Sequence, residues 1–118
     1  MPLPTGQWKI NANGAIGTLS ISSVDTAGNV QGTLMFPGIA STPILGFWDE
    51  ISARLMFEFS TTTTAGYAYT GYLSNDQYRM PGLIGGTIYT LTGFYEVYGG
   101  IANSDRFVFG WYAQIGET

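Results

Sequence analysis

The 118 residues suffice for one domain around a single core, and only 10% are charged, with Lys+Arg 4 against Asp+Glu 8 and a net charge of −4. Phosphate binding needs clustered Lys and Arg, so nucleic acid is not an expected partner. Cysteine and histidine are both absent, which removes disulfides, thiol nucleophiles, Cys/His zinc sites and the imidazole base; no metal or cofactor is expected.

The opening "MPLPTGQW" has no basic n-region and no apolar h-region, so a cytoplasmic location is expected, or a secreted one if a leader was removed upstream of residue 1. No apolar run approaches about 18 residues, so no membrane helix is expected. Periodicity of two dominates, and 17 glycines with 15% aromatics fit short strands joined by turns. The first predicted strand is Gln7–Ile10, ended by Asn13-Gly14, a strong hairpin signal. Thr18–Val24 follows and closes at "DTAGN". Val30–Phe36 stops at Pro37-Gly38, and Pro43–Asp49 and Arg54–Ser60 come next, before a threonine run. Tyr67–Ser74, Thr87–Val97 and Arg106–Gln114 complete the series. Strands at this spacing with hairpin-length connections predict a single all-β domain over residues 1–118, an up-and-down antiparallel barrel, with an open sandwich as the alternative. Gly32, Gly46, Gly71, Gly93 and Gly110 interrupt five strands, as the coiling of a closed barrel requires.

The late strands are apolar on both faces. Phe107, Phe109 and Trp111 share one side of the last strand, and Val108, Gly110 and Tyr112 share the other. A solvated barrel is polar outside, so Phe107, Phe109 and Trp111 are expected to pack a homo-oligomer, dimer or tetramer.

At "TGQW", Thr5 to Trp8, the sequence resembles the avidin/streptavidin family, whose first strand begins Thr-Gly-x-Trp. "NVQGTL", "AYTGY" and "FVFGWY" are similar to its third, sixth and last strands. The resemblance implies an eight-stranded barrel of the avidin/calycin type, often tetrameric, that binds biotin in its open end. The biotin site does not carry across. The first-strand asparagine falls at Ile10, with Asn11 one step late, and the serine beyond it falls at Gly14 or Ala15. The third-strand tyrosine and serine fall at Leu34 and Phe36. The sixth-strand hydroxyl residue and tryptophan fall at Tyr67 and Tyr69, and the last-strand carboxylate or amide falls at Tyr112.

A ureido group held away from water needs converging donors and acceptors, so these replacements predict weak or absent biotin binding. Tyr67, Tyr69 and Tyr112 would leave an aromatic interior suited to a small apolar or flat ligand. Equally, Leu34, Phe36 and Phe57 could fill the barrel. Asp49 and Glu50 are adjacent in a strand and point to opposite faces, so they form no acid/base pair, and no enzyme is expected. "SND" and "NSD" read as turns rather than calcium loops. Two further classes stay open. A lectin-like module would stack sugars on an exposed aromatic, best represented by Trp48 beside Asp49-Glu50. A structural or inhibitory barrel would act through its surface.

Overall fold

The computed structural model describes residues 2–38, 40–60, 65–78, 86–99 and 107–117, with the backbone alone for 60, 65, 76–78, 86, 98, 99, 107 and 117. Eight strands follow in order: β1 (Gly6–Ala12), β2 (Ala15–Val24), β3 (Asn29–Met35), β4 (Thr42–Asp49), β5 (Arg54–Ser60), β6 (Ala65–Tyr78), β7 (Gly86–Gly99) and β8 (Phe107–Glu117). Each pairs antiparallel with the next, and β1 pairs with β8, closing the barrel. This is the up-and-down barrel that the alternation predicts, and closure leaves no unpaired sheet edge.

Local chemistry sets the turns. Asn13 and Gly14 carry positive φ, 51° and 95°, as a two-residue hairpin requires, and the Gly14 N–H donates to Asn11 Oδ1 at 2.8 Å. Between β2 and β3, Asp25 Oδ1 accepts from the backbone N–H of Ala27 at 3.0 Å and of Asn29 at 2.8 Å, so one carboxylate pins the whole turn. The main departure from the predicted spans lies in β6 and β7. "NDQY" looks like a connection, yet its backbone pairs with Gly86–Tyr89, because main-chain pairing does not require apolar side chains.

Alternation divides every strand into an inner and an outer row. Trp8, Ile10, Leu19, Ile21, Val30, Leu34 and Ile44 fill the lumen from β1–β4 with mostly aliphatic side chains. The inner rows of β5–β8 are aromatic. Register places Phe57, Tyr69, Tyr95 and Phe109 directly opposite one another across four strands. One row deeper, Leu55, Gly71, Gly93 and Trp111 are partners, and the two glycines make room for the indole between them.

Up-and-down topology sends the β1–β2, β3–β4, β5–β6 and β7–β8 connections to one end and the others to the opposite end. The second end is closed. Leu3 is buried there, and Trp8 Nε1 donates to the Pro4 carbonyl at 3.1 Å. Trp48 lies buried at the same end, its Nε1 donating to Glu50 Oε1 at 3.0 Å. A fully buried side chain of this size stabilises by about 1.5–3 kcal/mol, so this end is held shut by packing.

Candidate functional site

At the first end the lumen opens into a slot of about 540 Å³. One wall carries Phe59, Tyr67, Tyr69 and Tyr95 from β5–β7. The other carries Ala12, Ala15, Leu34, Phe36, Pro37 and Thr42 from β1–β4 and their connections. Among the described residues the barrel is therefore both filled and open, at different depths: Trp111, one row deeper than Phe57, Tyr69 and Tyr95, forms a packed floor, and the space lies above.

The aromatic wall is an ordered array. Phe57 stacks on Tyr69 with centroids 4.7 Å apart and planes 9° from parallel, and Tyr69 stacks on Tyr95 at 4.6 Å and 13°. Phe59 stacks on Tyr67 at 4.8 Å and 8°. Trp111 meets both Phe57 and Tyr69 edge-on, at 5.8 and 5.3 Å. Its Nε1 donates to the carbonyls of Thr70 and Phe94, at 3.1 and 3.0 Å, so the indole N–H is fully used in holding the floor.

Burial, together with the charges that Tyr95 and Tyr67 would carry, raises the Tyr69 phenol above its ordinary value, and burial likewise raises Tyr95. Both stay protonated as neutral donors across the physiological range. The slot's polar side chains, among the described residues, are the hydroxyls of Thr42, Tyr67, Tyr69 and Tyr95, and Thr42 Oγ1 already donates to the Ala40 carbonyl at 3.1 Å. No side-chain amide, carboxylate or cation faces it among those residues. Among the described residues, no three Asp or Glu converge into a metal-sized group.

The structure brings Leu34, Phe36, Tyr67 and Tyr69 together at this slot. It places the other sequence candidates elsewhere. Tyr112 is 46% exposed on the outer face, because Trp111 takes the inward position in β8; its hydroxyl lies 3.5 Å from Asn11 Nδ2, outside the lumen. Trp48 is 4% exposed and at the closed end, since it alternates in phase with Ile44. Phe109 and Trp111, expected at a subunit interface, face the lumen and pack on Tyr95 and Tyr69. The side chain of Phe107 lies outside the described residues.

Tyr95, Phe59, Ala12, Ile16, Pro37 and Thr42 are slot residues that the sequence candidates omit. For Phe59 a signal existed, since it shares a face with Phe57, a residue already assigned to the interior. A second concavity of about 630 Å³ lies on the outer face of β3–β6, beside Leu45, Phe47 and Met56.

No protein-family model and no curated protein sequence matches the chain. Solved structures do. The chain is similar to apo shwanavidin, at 10% identity over 98% of each chain with a TM-score of 0.66. It is also similar to a biotin binding protein from chicken, at 12% identity over 94% of each chain with a TM-score of 0.67. Xenavidin matches at 15% identity, over 94% of this chain and 96% of that one, with a TM-score of 0.64. The fold is avidin-like over nearly the whole chain.

Proposed function

We propose that this protein is a non-enzymatic binding protein that takes a small apolar or aromatic molecule into the barrel mouth, and that it is not a conventional biotin binder. The observation that carries this reading is the slot of about 540 Å³ whose walls are aromatic and aliphatic with four hydroxyls among them. Concave, mostly apolar sites with a few fixed polar groups are the usual form of small-molecule pockets. The chicken protein of the same fold binds biotin. Here Leu34, Phe36, Ala15 and Gly14 line the corresponding end and offer no side-chain hydrogen bond to a ureido group. Each missing partner weakens such a ligand by about 1–3 kcal/mol.

The test is uptake of naphthalene and of biotin, followed by tryptophan fluorescence and native mass spectrometry, with Ala15→Trp as the blocking variant. Ala15 is exposed at the slot's rim, so a large side chain there fills the mouth without entering the core. Naphthalene uptake that Ala15→Trp abolishes, with biotin weak or absent, is the expected result. Nanomolar biotin binding would overturn the second half of the proposal, and exclusion of naphthalene the first. The lectin-like reading loses its best residue, because Trp48 is buried with its N–H engaged by Glu50.

We also propose a dimer or tetramer built on the outer face of β6–β8. Tyr72, Phe94, Val108 and Tyr112 are all exposed there, on three adjacent strands, and exposed apolar patches of this kind mark interfaces.

A further inference from the structure

The aromatic wall presents ring edges to the slot, not ring faces. Neighbouring strands stand about 4.8 Å apart, and the centroids of Phe59–Tyr67 and Tyr69–Tyr95 are separated by 4.8 and 4.6 Å with planes within 13° of parallel. Rings lying flat against the sheet could not approach so closely. These rings therefore stand upright, cover one another's faces, and turn their C–H edges and phenol oxygens toward the barrel axis. An aromatic edge is the positive part of the quadrupole, and a neutral phenol offers an O–H donor.

We infer that the slot selects an uncharged, electron-rich planar molecule carrying an oxygen acceptor, with that oxygen held by the hydroxyl cluster of Tyr67, Tyr69 and Tyr95. This rests on the mouth being a binding site, as proposed above. The π-face of such a molecule meets the positive edges, and its oxygen meets the donors. The opposite wall is narrow in chemistry but roomy, because Ala12 and Ala15 are small. The rings of Tyr69 and Tyr95 stack at 4.6 Å, and burial holds both phenols above their ordinary value, which keeps them protonated as donors.

Charged molecules are rejected on both sides. An anion would leave water for a slot with no cation among its described lining residues, and an unpaired buried charge is heavily penalised. A cation would need ring faces, which the stacking has covered.

The experiment compares four probes: methoxycoumarin, which is neutral and electron-rich with a carbonyl; a coumarin carboxylate; naphthalene, of similar size without oxygen; and octafluoronaphthalene, whose quadrupole is reversed. Methoxycoumarin is expected to bind on the order of tenfold tighter than the carboxylate or the fluorinated probe. Replacing all three tyrosines by phenylalanine is expected to remove about tenfold of the methoxycoumarin affinity and leave naphthalene unchanged. Tyr67→Phe alone, at the most exposed of the three, gives the same direction if the triple variant folds poorly.

Equal or tighter binding of the carboxylate, tighter binding of octafluoronaphthalene, or equal losses for methoxycoumarin and naphthalene in the variants would each overturn the inference. Cyclohexanol, an aliphatic control, separates the two readings. If it enters the mouth and is blocked by Ala15→Trp while methoxycoumarin does not enter, the selectivity falls and the binding site stands. If no probe enters, both fall.

Discussion

The indole of Trp111 lies on the backbone of Gly71: a Cβ added to Gly71 would stand 2.5 Å from Cζ2 and 3.0 Å from Cη2 of Trp111. The glycine in the middle of an aromatic strand is thus the seat of a side chain two strands away. On the strand between them, Gly93 is equally closed to substitution, since a Cβ there would run into the Thr70 carbonyl. Gly71→Ala is expected to lower stability by about 1–3 kcal/mol through overpacking. Urea denaturation followed by tryptophan fluorescence measures it, and an unchanged midpoint would mean that the indole has room to move.

Trp111 and Tyr112 are expected to respond in opposite ways. Trp111→Phe removes a donor shared by two carbonyls and leaves a void against Tyr69, for a loss of about 2–4 kcal/mol. Tyr112→Ser on the outer face is expected to change stability by no more than about 1 kcal/mol. The same denaturation experiment, run dilute enough that each variant is monomeric, compares them without the contribution of association. A larger loss at Tyr112 would invert the facing of β8.

The phenol cluster gives the barrel an alkaline limit. Burial and the neighbouring tyrosines hold the Tyr69 phenol above its ordinary value of 10.0, so the folded state keeps a proton that the unfolded chain releases. Stability from this group is fully present below about pH 10 and is lost as pH rises above it, because the unfolded state then binds fewer protons. Urea midpoints between about pH 8 and 11 are expected to stay level and then fall, with a shallower fall in Tyr69→Phe. A parallel fall in both proteins would remove Tyr69 from the explanation.

Asp25 works in the other direction. Hydrogen bonds from the Asn29 side chain, then from the Asn29 backbone, hold its carboxyl below its ordinary value. Its contribution is present above the unfolded value and disappears as pH drops through the folded one. Asp25→Ala is expected to lower the thermal midpoint at neutral pH, and the difference from the parent protein to shrink below about pH 3. A difference that persists in strong acid would show that the turn depends on packing rather than on the carboxylate.

For the outer face, Phe94→Lys is expected to shift native mass spectra toward the monomer while leaving the circular dichroism of the barrel intact. Phe94 is exposed and its ring is directed away from the lumen, so a lysine there touches association before folding. An oligomer that survives this change would move the interface to another face.

Sequence periodicity and turn chemistry carried the barrel, because alternation and the Asn13-Gly14 hairpin are local properties. They did not carry the phase of β8. Both of its faces are apolar, so alternation separates Phe109 and Trp111 from Val108 and Tyr112 without saying which pair is inside. Only register settles it: Trp111 sits opposite Gly93, which sits opposite Gly71, and two small residues in one row call for one large one. Trp48 is a different case. Its alternation with Ile44 pointed inward, and the adjacent acidic pair drew it toward a rim. Tyr67, Tyr69, Leu34 and Phe36 were legible from the resemblance to a known barrel, because position in the fold outlasts the residue that fills it.

The two walls of the mouth differ in how freely they can change. On β5–β7 each ring braces the next, so altering Tyr69 disturbs Phe57, Phe59, Tyr95 and Trp111 together. Across the slot, Ala15 and Thr42 stand on turns and strand ends outside that array. On the proposed binding role, ligand preference can therefore be redesigned one residue at a time from the aliphatic side, with the mutually braced aromatic side left undisturbed.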